Sequence, residues 1–179
     1  MCGIVGAVAE RNVAPILIQG LQRLEYRGYD SAGLAVLQAD GTLQRRREVG
    51  KVVNLSSNLD AAPVQGTMGI AHTRWATHGT VQEANTHPHM SGNDLALVHN
   101  GIIENYTTLR EELQSMGYVF SSETDSEVIV HLIHSCLGEN GLLQAVRQAV
   151  KRLEGAYAIA VCLAADAGRI VAARSGCPL

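Results

Sequence analysis

The sequence predicts an α+β layered domain, and three observations predict it. Its 179 residues are 46% hydrophobic and 17% charged, enough apolar surface for one core of ordinary domain size. The apolar patterning runs strand, helix, several strands, helices, strands, without the strict alternation that builds a parallel sheet. Between residues 31 and 49, Asp40-Gly41 carries the signal of a tight hairpin joining two antiparallel strands.

Each element has its own reason. Gly3–Val8 is a short apolar run suited to a buried strand. Val13, Ile16, Leu17, Gly20, Leu21 and Leu24 then follow helical spacing. Residues 31–39 return to strand composition, and the hairpin leads into a charged partner strand. A short helix over 51–59 passes through Pro63 and Gly66 to a strand at 68–73. Another strand is expected at 95–99. Between these two, residues 75–93 show no period, and a long ordered loop in a compact domain is usually functional. Asn105 is placed to cap a helix carrying Leu109 and Leu113, which ends at Gly117. Thr124-Asp125-Ser126-Glu127 is a capping-box pattern opening the run through Val128, Ile129, Leu132 and Ile133. A helix over 142–153 precedes strands at 156–163 and 169–173.

Composition excludes several classes. Fourteen Lys and Arg against seventeen Asp and Glu give a net charge of −3, which provides no field for a phosphate backbone, so nucleic acid is not an expected partner. Apolar stretches break within about ten residues, short of the roughly 20 a membrane span needs. Cys2, Cys136, Cys162 and Cys177 form no close pair, which argues against a disulfide framework or zinc knuckle and for a reducing compartment. With Glu10 and Arg11 interrupting the first apolar run, no signal peptide is read, and the expected compartment is the cytoplasm.

Chemistry-bearing residues cluster in four places. Cys2 follows Met1, and its removal would leave a thiol and a free α-amine on one residue; that amine has a pKa of about 7.7–8.0, near neutrality. A neighbouring cation such as Arg27 would lower the thiol, and the alternative is that Cys2 is an accident of the terminus. Arg74 offers a planar fork suited to a carboxylate, or a surface ion pair, and Trp75 beside it is either a lid or a packing aromatic. Asn100 and Gly101 offer a side-chain and a backbone donor for an oxyanion, or an ordinary Asn-Gly turn. Asp125 complements a helix dipole or holds a ligand ammonium. His72, His78, His87, His89 and His99 raise metal binding as a competing idea. No cysteine and no H-E-x-x-H pattern accompanies them, so a metal is not expected.

Taken together, Cys2-Gly3-Ile4-Val5-Gly6, Tyr26 to Gly33, His72-Thr73-Arg74-Trp75-Ala76-Thr77-His78-Gly79, His99-Asn100-Gly101 and Thr124-Asp125 resemble the class II glutamine amidotransferases. Their glutaminase domains are N-terminal-nucleophile hydrolases, and the resemblance covers essentially the whole chain, 1–179. It implies a four-layer αββα sandwich with mainly antiparallel sheets and a reaction that requires no metal or organic cofactor. It also implies that Cys2 is the nucleophile, its own amine the proton shuttle, Asn100 and Gly101 the oxyanion hole, and Arg27 and Gly28 the groups that position the terminus. Arg74 and Asp125 would take the glutamine carboxylate and ammonium, with Trp75, Thr77 and His78 in a closing loop and His87 near its far end. The Arg-Gly-Tyr-Asp and Thr-Arg-Trp-Ala-Thr-His-Gly wording resembles most the branch of the family that converts fructose 6-phosphate to glucosamine 6-phosphate in C-terminal sugar-phosphate isomerase domains. The expectation is therefore a glutaminase domain without those domains, drawn from a homo-oligomeric enzyme of hexosamine biosynthesis. A glutamine sensor without turnover, or the glutaminase of another class II enzyme, are the alternatives.

Overall fold

A computed structural model describes residues 2–75 and 80–178. Eight strands form two antiparallel four-stranded sheets, one ordered β1-β4-β2-β3 and the other β5-β6-β7-β8. The first contains β1 (Gly3–Val8), β2 (Ser31–Leu37), β3 (Leu43–Val49) and β4 (Met68–Arg74); the second contains β5 (His89–Ser91), β6 (Leu95–Ile103), β7 (Gly155–Leu163) and β8 (Ile170–Ser175). Helices α1 (Ala14–Leu24) and α2 (Val52–Ala61) cover the first sheet; α3 (Tyr106–Ser115), α4 (Asp125–Ser135) and α5 (Gly141–Ala149) cover the second.

Strand alternation sorts the apolar residues into three interlayer cores. On β2, Ala32, Leu34 and Val36 face α1 and α2, where they meet Leu17, Leu21 and Leu55. Ala35 and Leu37 face the other way, joining Met68 and Ile70 against Ala96, Val98, Ala160 and Cys162 of the second sheet. The outer face of that sheet, including Leu97, Ile159 and Val161, packs on Ile129, Leu132 and Val146. Three cores between four layers make an αββα sandwich. Where sheet meets sheet, the small Ala96, Val98, Ala160 and Cys162 of the second face the larger Leu37, Met68 and Ile70 of the first.

Most elements lie where the sequence puts them, and three expectations are corrected. Asn100 and Gly101 sit inside β6, paired with Ala158 and Tyr157, so the strand runs to Ile103 and no turn forms at Asn-Gly. Gly101 has φ of 133°, and a Cβ there would collide with the Ala156 carbonyl oxygen. Asn105 stands at the start of α3 without capping it, because its Oδ1 accepts from Glu154 N–H at 3.2 Å while its NH₂ donates to Arg152 O at 2.9 Å. The α4 capping box is half made: Thr124 Oγ1 accepts from Glu127 N, whereas the Glu127 carboxylate accepts from the N–H groups of Ser121 and Ser122. The irregular stretch contains one short strand, β5. Among the described residues no helix is long and apolar enough to cross a membrane.

Candidate active site

The inter-sheet layer changes character at the end where the chain begins. Along β4, His72 and Arg74 continue the face of Met68 and Ile70; along β6, Asn100 continues the face of Ala96 and Val98. Apolar contacts thus give way to facing polar groups. Strand β1 pairs Gly3 with Thr73, and Gly3 N–H also donates to Thr73 Oγ1 at 3.2 Å, which brings Cys2 to the level of Arg74.

A cavity of about 390 Å³ opens at this point, and Cys2, Arg27, Arg74, Trp75, Asn100 and Gly101 line it. His87 and Asp125 line it from the second sheet's side. Gly28 does not line it but backs it: a Cβ there would come within 2.9 Å of the Arg74 carbonyl carbon and oxygen and 3.0 Å of Trp75 N. Thr77 and His78 lie outside the described residues.

The Cys2 thiol accepts a hydrogen bond from Trp75 N–H at 3.2 Å. Burial pushes the thiol above its ordinary value, the Trp75 N–H pulls it down, and Asp30 and Arg74 act in opposite directions. Besides the chain's N-terminal ammonium, the side-chain cation that favours the thiolate is Arg74, where the sequence suggested Arg27, and burial still dominates. Arg27 donates from Nε to Tyr26 OH at 3.1 Å. Trp75 is half exposed and meets the Tyr29 ring edge-on, with centroids 5.6 Å apart.

Arg74 is buried, with only 4% of its surface exposed, and Nη1 donates to Thr80 O at 3.4 Å. Asp125, 5% exposed, begins α4 and accepts from Ile103 N at 2.9 Å. A cation and an anion thus border one cavity with a thiol and two amide donors, which is what an α-amino acid carrying a side-chain amide would need. Asn100 Nδ2 donates to Cys2 O at 3.3 Å, and its Oδ1 is held by His72 Nε2 at 2.8 Å.

A layer of buried histidines, of which His87 and His99 reach the cavity wall, lies beside it, and local periodicity gives no reason to expect that layer. The His72 and His87 rings stack with centroids 4.2 Å apart, and His87 meets His89 edge-on at 4.7 Å. Ser126 Oγ lies 3.0 Å from His87 Nε2, 2.8 Å from His99 Nδ1 and 3.4 Å from Asp125 Oδ1. The carboxylate accepts only, so the hydroxyl proton goes to Asp125 and both rings donate to Ser126. The nitrogens left without partners, His87 Nδ1 and His99 Nε2, are then the unprotonated ones. Burial holds all four histidines neutral: His72 and His99 are pushed down to about 4, His89 to about 3, and His87 well below its usual value. Sequence reasoning names His72, Thr73 and Ser126 only within motifs, and His72 as a metal candidate, so their site-forming contacts are what it misses. Their sequence signals are parity with Arg74 for His72, adjacency to Arg74 for Thr73 and adjacency to Asp125 for Ser126. Among the described residues no group of three or more His, Cys, Asp or Glu is placed to hold a metal ion.

A family described as a glutamine amidotransferase domain matches residues 72–177. A glutamine–fructose-6-phosphate aminotransferase [isomerizing] of Pseudomonas putida is 64% identical over all of this chain, which covers 30% of that protein. The protein of the same name from Shewanella oneidensis is 61% identical, with 29% of it covered. The chain thus spans about 30% of the length of the curated relatives it matches. Among solved structures, a glutamine phosphoribosylpyrophosphate amidotransferase from B. subtilis, complexed with ADP and GMP, superposes with a TM-score of 0.77 at 28% identity, covering 92% of this chain and 35% of that one.

Proposed function

Because this chain belongs to the glutamine amidotransferase domain family, we propose that it hydrolyses L-glutamine to glutamate and ammonia with the Cys2 thiolate as nucleophile. Its fold is the α+β sandwich of the N-terminal-nucleophile hydrolases. The observation that carries the reading is the cavity in which the Cys2 thiol, Arg74, Asn100, Gly101 and Asp125 converge.

Removal of Met1 frees the α-amine of Cys2, which takes the thiol proton. The thiolate attacks the carboxamide carbon, and the carbonyl oxygen becomes an oxyanion held by Asn100 Nδ2–H and Gly101 N–H. Collapse breaks the C–N bond, the ammonium of Cys2 returns its proton to the leaving nitrogen, and ammonia departs. Water then attacks the thioester, giving glutamate and the free thiol. Arg74 takes the α-carboxylate through its planar fork and Asp125 the α-ammonium. The family resemblance assigns Trp75, Thr77 and His78 to closing over bound glutamine, His87 to the far end of that stretch, and Arg27 and Gly28 to holding the terminus in place.

The relatives' length and name supply the larger context. Residues 1–179 correspond to the glutaminase domain of a longer enzyme whose C-terminal sugar-phosphate isomerase domains use the ammonia to aminate fructose 6-phosphate, giving glucosamine 6-phosphate. The four cysteines are all free, which supports a reducing, cytoplasmic setting.

The test is mass spectrometry of the N-terminus before and after an electrophilic glutamine analogue, alongside an ammonia assay. The expected result is loss of Met1, a single adduct on Cys2 that excess glutamine prevents, and no adduct or turnover in Cys2→Ala. A processed chain that binds glutamine but forms no adduct and releases no ammonia would overturn the enzyme in favour of a glutamine sensor.

A further inference from the structure

Asn100 is an ambiguous group: its amide can present either NH₂ or C=O toward Cys2, and only the first stabilises an oxyanion. Something must choose. The side chain spans two partners, with Oδ1 2.8 Å from His72 Nε2 and Nδ2 3.3 Å from Cys2 O. Cys2 O accepts only, so Nδ2 must face it, and the oxygen is then left for His72. An amide oxygen also only accepts, so His72 Nε2 carries the proton. His72 Nδ1, buried and without a hydrogen-bond partner, is the unprotonated nitrogen.

Three features hold the ring in that role. His72 lies in β4 with neighbours on both sides, opposite Ile4 of β1 and Gly33 of β2, so its backbone has little freedom. The ring is sandwiched in the inter-sheet layer against His87 and is 1% exposed. Reversing the amide would set NH₂ against N–H unless the ring changed tautomer, and the new N–H would then occupy a position where Nδ1 has no partner.

We propose that His72 is a positioning residue of the glutaminase reaction, its Nε2–H fixing the Asn100 amide so that the NH₂ group faces the reacting oxygen. The inference rests on the functional reading above. His72 touches neither substrate nor thiol; it acts through Asn100. It also defines a division of labour on β4, where Arg74 binds substrate and the residue two positions earlier, on the same face, orients a donor contributed by the opposite sheet.

Two measurements test it on the Met1-processed chain. First, a long-range ¹H–¹⁵N spectrum of labelled wild-type protein reads the tautomer directly: the Nε2–H form is expected, and the Nδ1–H form would overturn the proposal whatever the variants do. Second, His72→Phe is expected to lower kcat for glutamine hydrolysis about 10- to 100-fold, a part of the 10²–10³ lost with a whole oxyanion donor, with KM within about twofold. Inhibition by glutamate γ-semialdehyde, whose adduct with Cys2 places an oxyanion at the same donors, should weaken by a similar factor, whereas inhibition by L-glutamate should not change. His72→Gln, which presents an N–H at similar reach, should recover most of the rate. Unchanged kcat, loss of kcat and L-glutamate affinity together, or a Gln variant no better than Phe would overturn the positioning role. Wild-type protein that released no ammonia would instead overturn the functional reading itself, a result separable from a normal wild type with an unaffected His72→Phe.

Discussion

Trp75 N–H points at Cys2 Sγ from 3.2 Å, so the thiol's environment is set by backbone that also carries the Arg74 side chain. That segment has its own support. Asp30 N–H donates to Arg74 O at 3.2 Å, and Gly28 packs against the Arg74–Trp75 peptide.

Gly28→Ala should therefore impair the site through its backbone. Gly28 has an extended φ of −176°, which any residue adopts, so the effect is steric: the new methyl group would sit 2.9–3.0 Å from three peptide atoms. The expected outcome is a loss of about 1–3 kcal/mol in urea unfolding, as for other overpacked positions, with a larger proportional loss of glutaminase activity. Wild-type activity in this variant would show that the Trp75 N–H need not hold its place.

Arg74→Ala should weaken glutamine binding more than it slows chemistry. A buried, charge-paired contact truncated on one side commonly loses about 2–5 kcal/mol, and Arg74 is 4% exposed. The check is the Michaelis constant for glutamine, which should rise steeply; an unchanged value would remove Arg74 as the carboxylate fork.

Ser126→Ala should destabilise the domain. The hydroxyl is the hydrogen-bond partner of both His87 Nε2 and His99 Nδ1, and its loss leaves two buried N–H groups unsatisfied. A loss of about 1–3 kcal/mol per orphaned donor sets the scale, read as the midpoint of urea unfolding. Asp125 also loses a donor, so weaker glutamine binding is expected alongside.

Stability should fall as the medium is acidified. His72 and His99 titrate near 4 in the folded protein and near 6.5 when unfolded, so between those values only the unfolded chain gains protons. Each such histidine adds a slope of about 1.4 kcal/mol per pH unit, acting from about pH 6.5 downward. Glu127 adds to the effect at lower pH: burial pushes its carboxyl up, but His131, Ser122 and Ser121 together pull it well below the usual carboxylate range. Unfolding midpoints measured from pH 7.5 to 4.5 should stay level above about pH 6.5 and fall below it, and a profile flat to pH 4.5 would mean that these rings are accessible to protons.

The sequence made the elements legible wherever a local rule and the tertiary context agreed. Val13 to Leu24 has helical spacing and one buried face; Asp40-Gly41 turns a hairpin between two sheet neighbours; Gly117, with φ of 93°, ends α3. It misled where they disagreed. Asn100-Gly101 prefers a turn locally, yet nine residues of pairing between β6 and β7 hold it extended. Asn105 has a capping alternative, and its oxygen instead takes the distant Glu154 N–H. Of the site, Cys2, Arg74, Asn100 and Asp125 were readable as reactive types, and the structure gathers them around one cavity. The buried histidine layer was not readable, because its order depends on which strand faces which across the sandwich, and no local period records that.

The cavity that receives Cys2 and Ile4 is also bordered by Cys177 and Pro178, so residues from near both ends of the described chain meet at one rim. For anyone handling this protein, an affinity tag is not a neutral handle at either end. Residues placed before Cys2 leave its amine in a peptide bond unless they are cleaved off, and residues placed after Pro178 set out from the lining of the same cavity.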